Sequence, residues 1–123
     1  LGICLGMQLI CQNSEEGATT CLNIFDTEAK RLVPARHEDK VPHMGWNTIG
    51  EVNSRLFNGF TEEEFVYFVH SFYVPVNECT AAQTHYILPF SAALHKDNFY
   101  ATQFHPEKSG TVGERILKNF LDI

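Results

Sequence analysis

Residues 2–6 read Gly-Ile-Cys-Leu-Gly, and this short stretch constrains the fold more than any other part of the chain. A cysteine with glycine two positions away on either side is the thiol counterpart of the Gly-x-Ser-x-Gly corner that carries a nucleophile. At such a corner a strand turns sharply into a helix. The central residue takes a strained backbone conformation, and side chains two positions away would collide across the turn. The pattern therefore asks for a strand ending near Ile3, a helix starting near Leu5 and a sheet to hold the strand. Unpaired N–H groups and the dipole at the helix start would favour a thiolate at Cys4. The N–H of Leu5 would stand where an oxyanion develops. The same five residues also suit a buried structural cysteine in a glycine-rich turn.

The remaining sequence supplies mostly strands. Residues 5–12 suit the helix that the corner requires, with apolar side chains at Leu5, Leu9 and Ile10. NSEEGATT then breaks it. Extended stretches are expected around residues 21–25 and 30–33, followed by a polar loop, ARHEDKVPHMG, and a strand over 46–52. EFVYFVHSFY, ending at Tyr73, is dense in aromatic and β-branched residues and predicts a strand over 65–73 buried on both faces. Stretches 80–86, 90–95 and 99–104 read as a meander. The chain closes with an amphipathic helix that carries apolar residues at Val112, Ile116, Leu117, Phe120 and Leu121. Thr111 and Glu114 have the spacing of a capping box.

A length of 123 residues allows one core, so residues 1–123 are read as a single α/β domain. The formal charge of −6 and the scattered Lys and Arg exclude a phosphate-tracking surface, and nucleic acid is not expected as a partner. No apolar run reaches membrane-spanning length, and no secretory leader pattern occurs. Cys4, Cys11, Cys21 and Cys79 fit neither a disulfide framework nor a zinc site, which points to reduced thiols in a cytoplasm, with no metal and no cofactor.

A nucleophilic cysteine needs a base and a group that orients the base. QFHPEKSG supplies both: His105 and Glu107 stand two residues apart at a strand end, so their side chains can leave one face. In that arrangement His105 takes the thiol proton and later protonates the leaving amine, while Glu107 aligns the ring. Alone, a His-Pro-Glu triplet reads as a surface turn.

GICLGMQ and, about a hundred residues on, QFHPEKS together resemble the class I glutamine amidotransferases, a Cys-His-Glu triad family, and the likeness runs the length of the chain. KVPHMGWN at 40–47, YFVHSFY at 67–73 and HPEKSG at 105–110 look like the glutaminase subunits of imidazole glycerol phosphate synthases. The resemblance implies the C-terminal portion of an amidotransferase domain: a mostly parallel sheet flanked by helices, with an antiparallel strand extension. It also implies that several strands and helices precede the corner in relatives, one loop among them giving a second oxyanion donor. On that expectation the chain is N-terminally truncated and weak or inactive by itself.

By the same likeness Cys4 attacks the side-chain amide of L-glutamine, forms a γ-glutamyl thioester and releases ammonia. Gly6, Gln8 and Glu16 match positions that hold the substrate, Glu16 facing its α-amino group. His70, Ser71 and Phe72 match a strand end whose main chain grips the α-amino and α-carboxylate groups. The implied partner is a (β/α)8-barrel cyclase subunit, joined as a heterodimer, which uses the ammonia to make imidazole glycerol phosphate in histidine biosynthesis. His43, Met44, Gly45, Trp46 and Asn47 look like a loop facing that partner, and Lys108 would sit at the same mouth. Three alternatives stay open: the glutaminase part of another amidotransferase, a partner-free γ-glutamyl hydrolase, and a non-catalytic binding subunit.

Overall fold

The computed structural model describes all 123 residues. The corner forms as its sequence requires: strand β1 (Gly2–Ile3) runs into helix α1 (Leu5–Leu9), with Cys4 between them at φ 54° and ψ −106°. Only Gly2 is demanded by the crowding, because a Cβ there would lie 2.9 Å from the backbone of Gly6. A Cβ on Gly6 would meet nothing within 4 Å. The expected collision is therefore one-sided, and the position of Gly6 is open.

Helix α1 is shorter than the expected 5–12, because the chain straightens at once into β2 (Cys11–Ser14) and β3 (Thr19–Thr20). Next come β4 (Phe25–Arg31), β5 (His43–Ile49), β6 (Glu64–His70) and β7 (Phe72–Tyr73). The meander follows as β8 (Thr80–Tyr86), β9 (Leu88–Lys96) and β10 (Phe99–Thr102), then helix α2 (Gly110–Leu121). The main sheet has the order β1-β10-β9-β8, a second has β3-β2-β4-β7, and β5 pairs with β6. Pairings β1–β10 and β2–β4 are parallel. The other five are antiparallel, so the antiparallel extension makes up most of the sheet here.

Three expectations are corrected. PHMGWN is not a loop: residues 43–49 form β5, paired in register with β6 from His43 opposite His70 to Ile49 opposite Glu64. The hydrophobic run in β6 is not buried on both faces. Val66, Phe68 and His70 point into the core while Phe65 is 59% exposed, the alternation of a two-stranded ribbon with one face covered. The strand buried on both faces is β9, where Phe90 through Leu94 are all enclosed. Its Ser and Ala residues look less hydrophobic but let layers approach closely from both sides.

The third correction concerns α2. Thr111 lies inside the helix, the N-cap is Ser109, and no side chain caps the first turn. The Ser109 hydroxyl is committed elsewhere, donating to His105 O at 2.6 Å and accepting from Tyr67 N at 3.0 Å. Ile116 is fully buried in the larger core cluster, with Val112 and Phe120 packed beside it, whereas Leu121 is exposed. A smaller cluster of Met7, Cys11, Phe25, Ala29, Val74, Leu94 and Ala101 fills the other side of the main sheet, under the corner. No helix is long and apolar enough to cross a membrane.

Candidate active site

Parallel pairing of β1 with β10 joins the two ends of the chain. Gly2 lies opposite Ala101 and Ile3 opposite Thr102, and the Cys4 N–H continues the ladder to Thr102 O at 2.8 Å. The corner therefore leaves the sheet beside the segment that carries His105. His105 is itself pinned: its N–H donates to Tyr67 O, and its carbonyl accepts from Lys108 N and from the Ser109 hydroxyl. A short 3-10 turn, Pro106–Lys108, then brings Glu107 back, so that its carboxylate lies 2.9 Å from His105 Nδ1. The turn is held in place by α2. A Cβ on Gly113 would fall 1.8 Å from Pro106 O, so only glycine lets the helix lie this close.

The Cys4 sulfur has two hydrogen-bond partners. Its S–H donates to Val69 O at 3.7 Å, and Gln103 Nε2 donates to it at 3.7 Å. The His105 ring is not one of its hydrogen-bond partners. Burial raises the Cys4 thiol above its ordinary pKa, opposed by the Leu5 N–H, supported by the Glu107 charge, and opposed again by Gln103 and Lys108. The expected thiolate is thus not the resting form. Five residues of helix give little dipole, and burial outweighs the Leu5 and Gln103 N–H groups aimed at the sulfur.

Gln8 is buried and its amide reaches inward, donating to Phe72 O and to Gln103 Oε1, each at 3.2 Å. Gln103 is fully buried and links Gln8 to the sulfur. It stands two residues before His105 in QFHPEKSG yet drew no role from the sequence, where a lone Gln in a strand carries no signal of burial. A cavity of about 100 Å³ opens beside the corner, lined by Leu5, Gln8, Leu9, Ser14, Glu16 and Thr19, together with Cys21. Glu16, exposed in its own 3-10 turn, thereby shares a space with Gln8 and Leu5. A larger cavity of about 530 Å³, with Glu51, Glu62 and Glu63 on its walls, contains none of the candidate residues.

At the strand end, Ser71 O accepts from Leu32 N, and Phe72 O accepts from both Gln8 and His70 Nδ1, the latter at 2.7 Å. These carbonyls are already serving the protein. On β5, Met44 is 64% and Trp46 55% exposed on one face, while His43 is buried on the other, stacked 4.1 Å from Tyr86. The exposed members of the 43–47 set can meet a partner; the His43 ring does not reach the surface. Gly45 and Asn47 lie between these extremes, and Lys108 is exposed next to Glu107.

The family model described as glutamine amidotransferase class-I matches residues 1–123. The chain is 78% identical over 122 residues to an imidazole glycerol phosphate synthase subunit HisH of Bacteroides thetaiotaomicron, covering 99% of this chain and 62% of that protein. It is 73% identical over 123 residues to the protein of that name from Bacteroides fragilis, covering all of this chain and 63% of the relative. An Escherichia coli K12 protein of the same name is 47% identical over 125 residues, with 63% of its length covered. The chain thus spans a little under two thirds of these relatives. Its fold is also similar, with a TM-score of 0.66 at 21% identity, to the crystal structure of a GMP synthase component from Thermoplasma acidophilum, covering 98% of this chain and 54% of that one.

Proposed function

Because this chain belongs to the class-I glutamine amidotransferase family, we propose that the protein carrying it hydrolyses glutamine to glutamate and ammonia, as the glutaminase subunit of an imidazole glycerol phosphate synthase. The observation that supports this reading is the parallel pairing of β1 with β10, from which a strained cysteine corner and the segment bearing a carboxylate-aligned histidine leave neighbouring strands. Identity of 78% to a named HisH subunit favours this amidotransferase over others.

Glutamine lies with its side-chain amide over Cys4, in the space that the bare Gly6 leaves open, its polar end toward Glu16. His105 keeps its Nδ1 on Glu107, so Nε2 takes the thiol proton as sulfur attacks the amide carbon. The oxygen of the tetrahedral intermediate is met by the Leu5 N–H. Collapse breaks the C–N bond, His105 gives its proton to the departing nitrogen, and ammonia leaves a γ-glutamyl thioester on Cys4. Water then attacks the thioester, His105 takes the water's proton, and glutamate and the free thiol result. A raised resting pKa suits this order, because the proton stays on sulfur until the imidazole collects it.

Ammonia passes to a (β/α)8-barrel cyclase subunit docked at the mouth of the site. Met44 and Trp46, two residues apart on the exposed face of β5, are suited as apolar anchors for that partner, with Lys108 available for a carboxylate. The test is to treat the full-length protein with a glutamine-like electrophile and map the adduct. Labelling of Cys4 that glutamine blocks, with loss of ammonia release in Cys4→Ser, is expected. Glutamine turnover that survives Cys4→Ser refutes the proposal.

A further inference from the structure

Two imidazoles lie inside the aromatic core, where packing alone would be met by phenyl rings. His43 and His70 are 4% and 5% exposed, and their nitrogens Nδ1 and Nε2 stand 2.9 Å apart. His43 is clamped between Tyr86 and Phe68, at ring separations of 4.1 and 4.8 Å, and His70 sits edge-on to Phe90 at 5.2 Å. Burying polar rings costs free energy unless their nitrogens are satisfied, so a pair placed here must be judged by where its hydrogen bonds lead.

The chemistry at the two ends dictates their direction. A carbonyl only accepts, so His70 Nδ1 carries a hydrogen and donates it to Phe72 O at 2.7 Å. His70 Nε2 is then a lone pair and accepts from His43 Nδ1. His43 Nε2 is in turn an acceptor and faces Asn47 Nδ2 at 3.5 Å, an amide nitrogen that can only donate. Each tautomer is consistent with the next. The row ends on the carbonyl that also receives Gln8 Nε2, and Gln8 holds Gln103, which holds the Cys4 sulfur.

We infer that His70, set by His43, is a positioning residue: it fixes the Phe72 carbonyl, and through Gln8 and Gln103 it sets the place of the Cys4 sulfur against the bound substrate. The inference rests on the glutaminase reading. It is distinct from the contact of residues 70–72 with substrate, because the ring acts through Phe72 and not on glutamine.

A pair of substitutions separates this role from packing. His70→Phe keeps a ring of similar size but removes both nitrogens. His70→Asn shrinks the side chain but returns an amide N–H to the place of Nδ1. Steady-state glutamine hydrolysis is measured in the full-length protein in its native assembly. With a positioning role, His70→Phe lowers kcat/KM about tenfold, the worth of one buried hydrogen bond, and His70→Asn recovers most of the loss. If activity follows volume, with His70→Phe near wild type and His70→Asn the poorer, the ring is only filler and the inference is overturned. Equal, wild-type activity in both overturns it as well. Should His70→Phe fail to fold, His43→Phe against His43→Asn makes the same comparison one ring further out. Wild-type protein that does not hydrolyse glutamine refutes the function itself, and this inference with it. An active wild type indifferent to these changes refutes the inference alone.

Discussion

Acidification attacks the buried histidine pair, and its cost can be worked from the structure. Burial lowers His43 from 6.5 to about 3, and the neighbouring His70 adds to the effect. Burial lowers His70 to about 4 against the pull of the Phe72 carbonyl, with His105 lowering it further. Both rings are thus neutral when folded, and a proton added to His70 Nε2 would face the N–H of His43. A base whose folded pKa lies below its unfolded value stabilises the fold fully above the unfolded pKa, and that stability drains away as pH falls toward the folded one. The window here runs from about 6.5 down to about 4 for His70 and about 3 for His43. Between pH 7 and pH 4.5 each ring forfeits about 2–3 kcal/mol, and the pair on the order of 5 kcal/mol. That is a large part of the 5–15 kcal/mol typical of a domain. Urea unfolding of the full-length protein across this range, compared with His43→Phe, isolates the pair from the carboxylates that titrate in both. The variant is expected to start lower, because His70 Nε2 loses its donor, and then to fall with about one proton fewer in its pH slope. Parallel curves for the two proteins, or a ring NMR titration placing either histidine near 6.5, would refute the reasoning.

The corner and the thiol give two further expectations. Gly2→Ala drives a Cβ to 2.9 Å from the Gly6 backbone, which cannot swing aside as a side chain can; a loss of about 1–3 kcal/mol in chemical denaturation is expected, with the corner and its activity disturbed together. Because burial holds the Cys4 thiol above its ordinary pKa, its alkylation by iodoacetamide without substrate should be slow at neutral pH and still rising beyond pH 9, read by peptide mapping. A plateau near pH 7 would show a resting thiolate.

Local patterns in the chain already carried much of this protein. GICLG requires a strand-turn-helix corner because few backbones can hold a cysteine at φ 54° between a strand and a helix. The meander 80–104 was legible from its alternation and breaks, and the last helix from its apolar spacing. His105 and Glu107 were legible as a pair since the two-residue spacing is local; the turn at Pro106 realises it at 2.9 Å. What failed was whatever depended on the far side of an element. PHMGWN reads as a loop because its pairing partner, the run from Val66 to His70, is distant in sequence. The EFVYFVH run looked fully buried since hydrophobicity says nothing of how many faces are covered, and the doubly buried strand was the alanine-rich one. Ser109 was overlooked as a cap and as the anchor of His105, since only the approach of β6 gives its hydroxyl a second partner.

The residue types and their local spacing thus determined which groups could do chemistry: a cornered thiol, an imidazole and the carboxylate that holds it. Only the tertiary structure decided what surrounds them. Folding half-buried the thiol and raised its pKa, and the meeting of four segments set Gln8, Gln103 and the His43–His70 pair in one connected row. Desolvation and hydrogen-bond partnership depend on which distant segments come to lie together, and no local pattern along the chain encodes them.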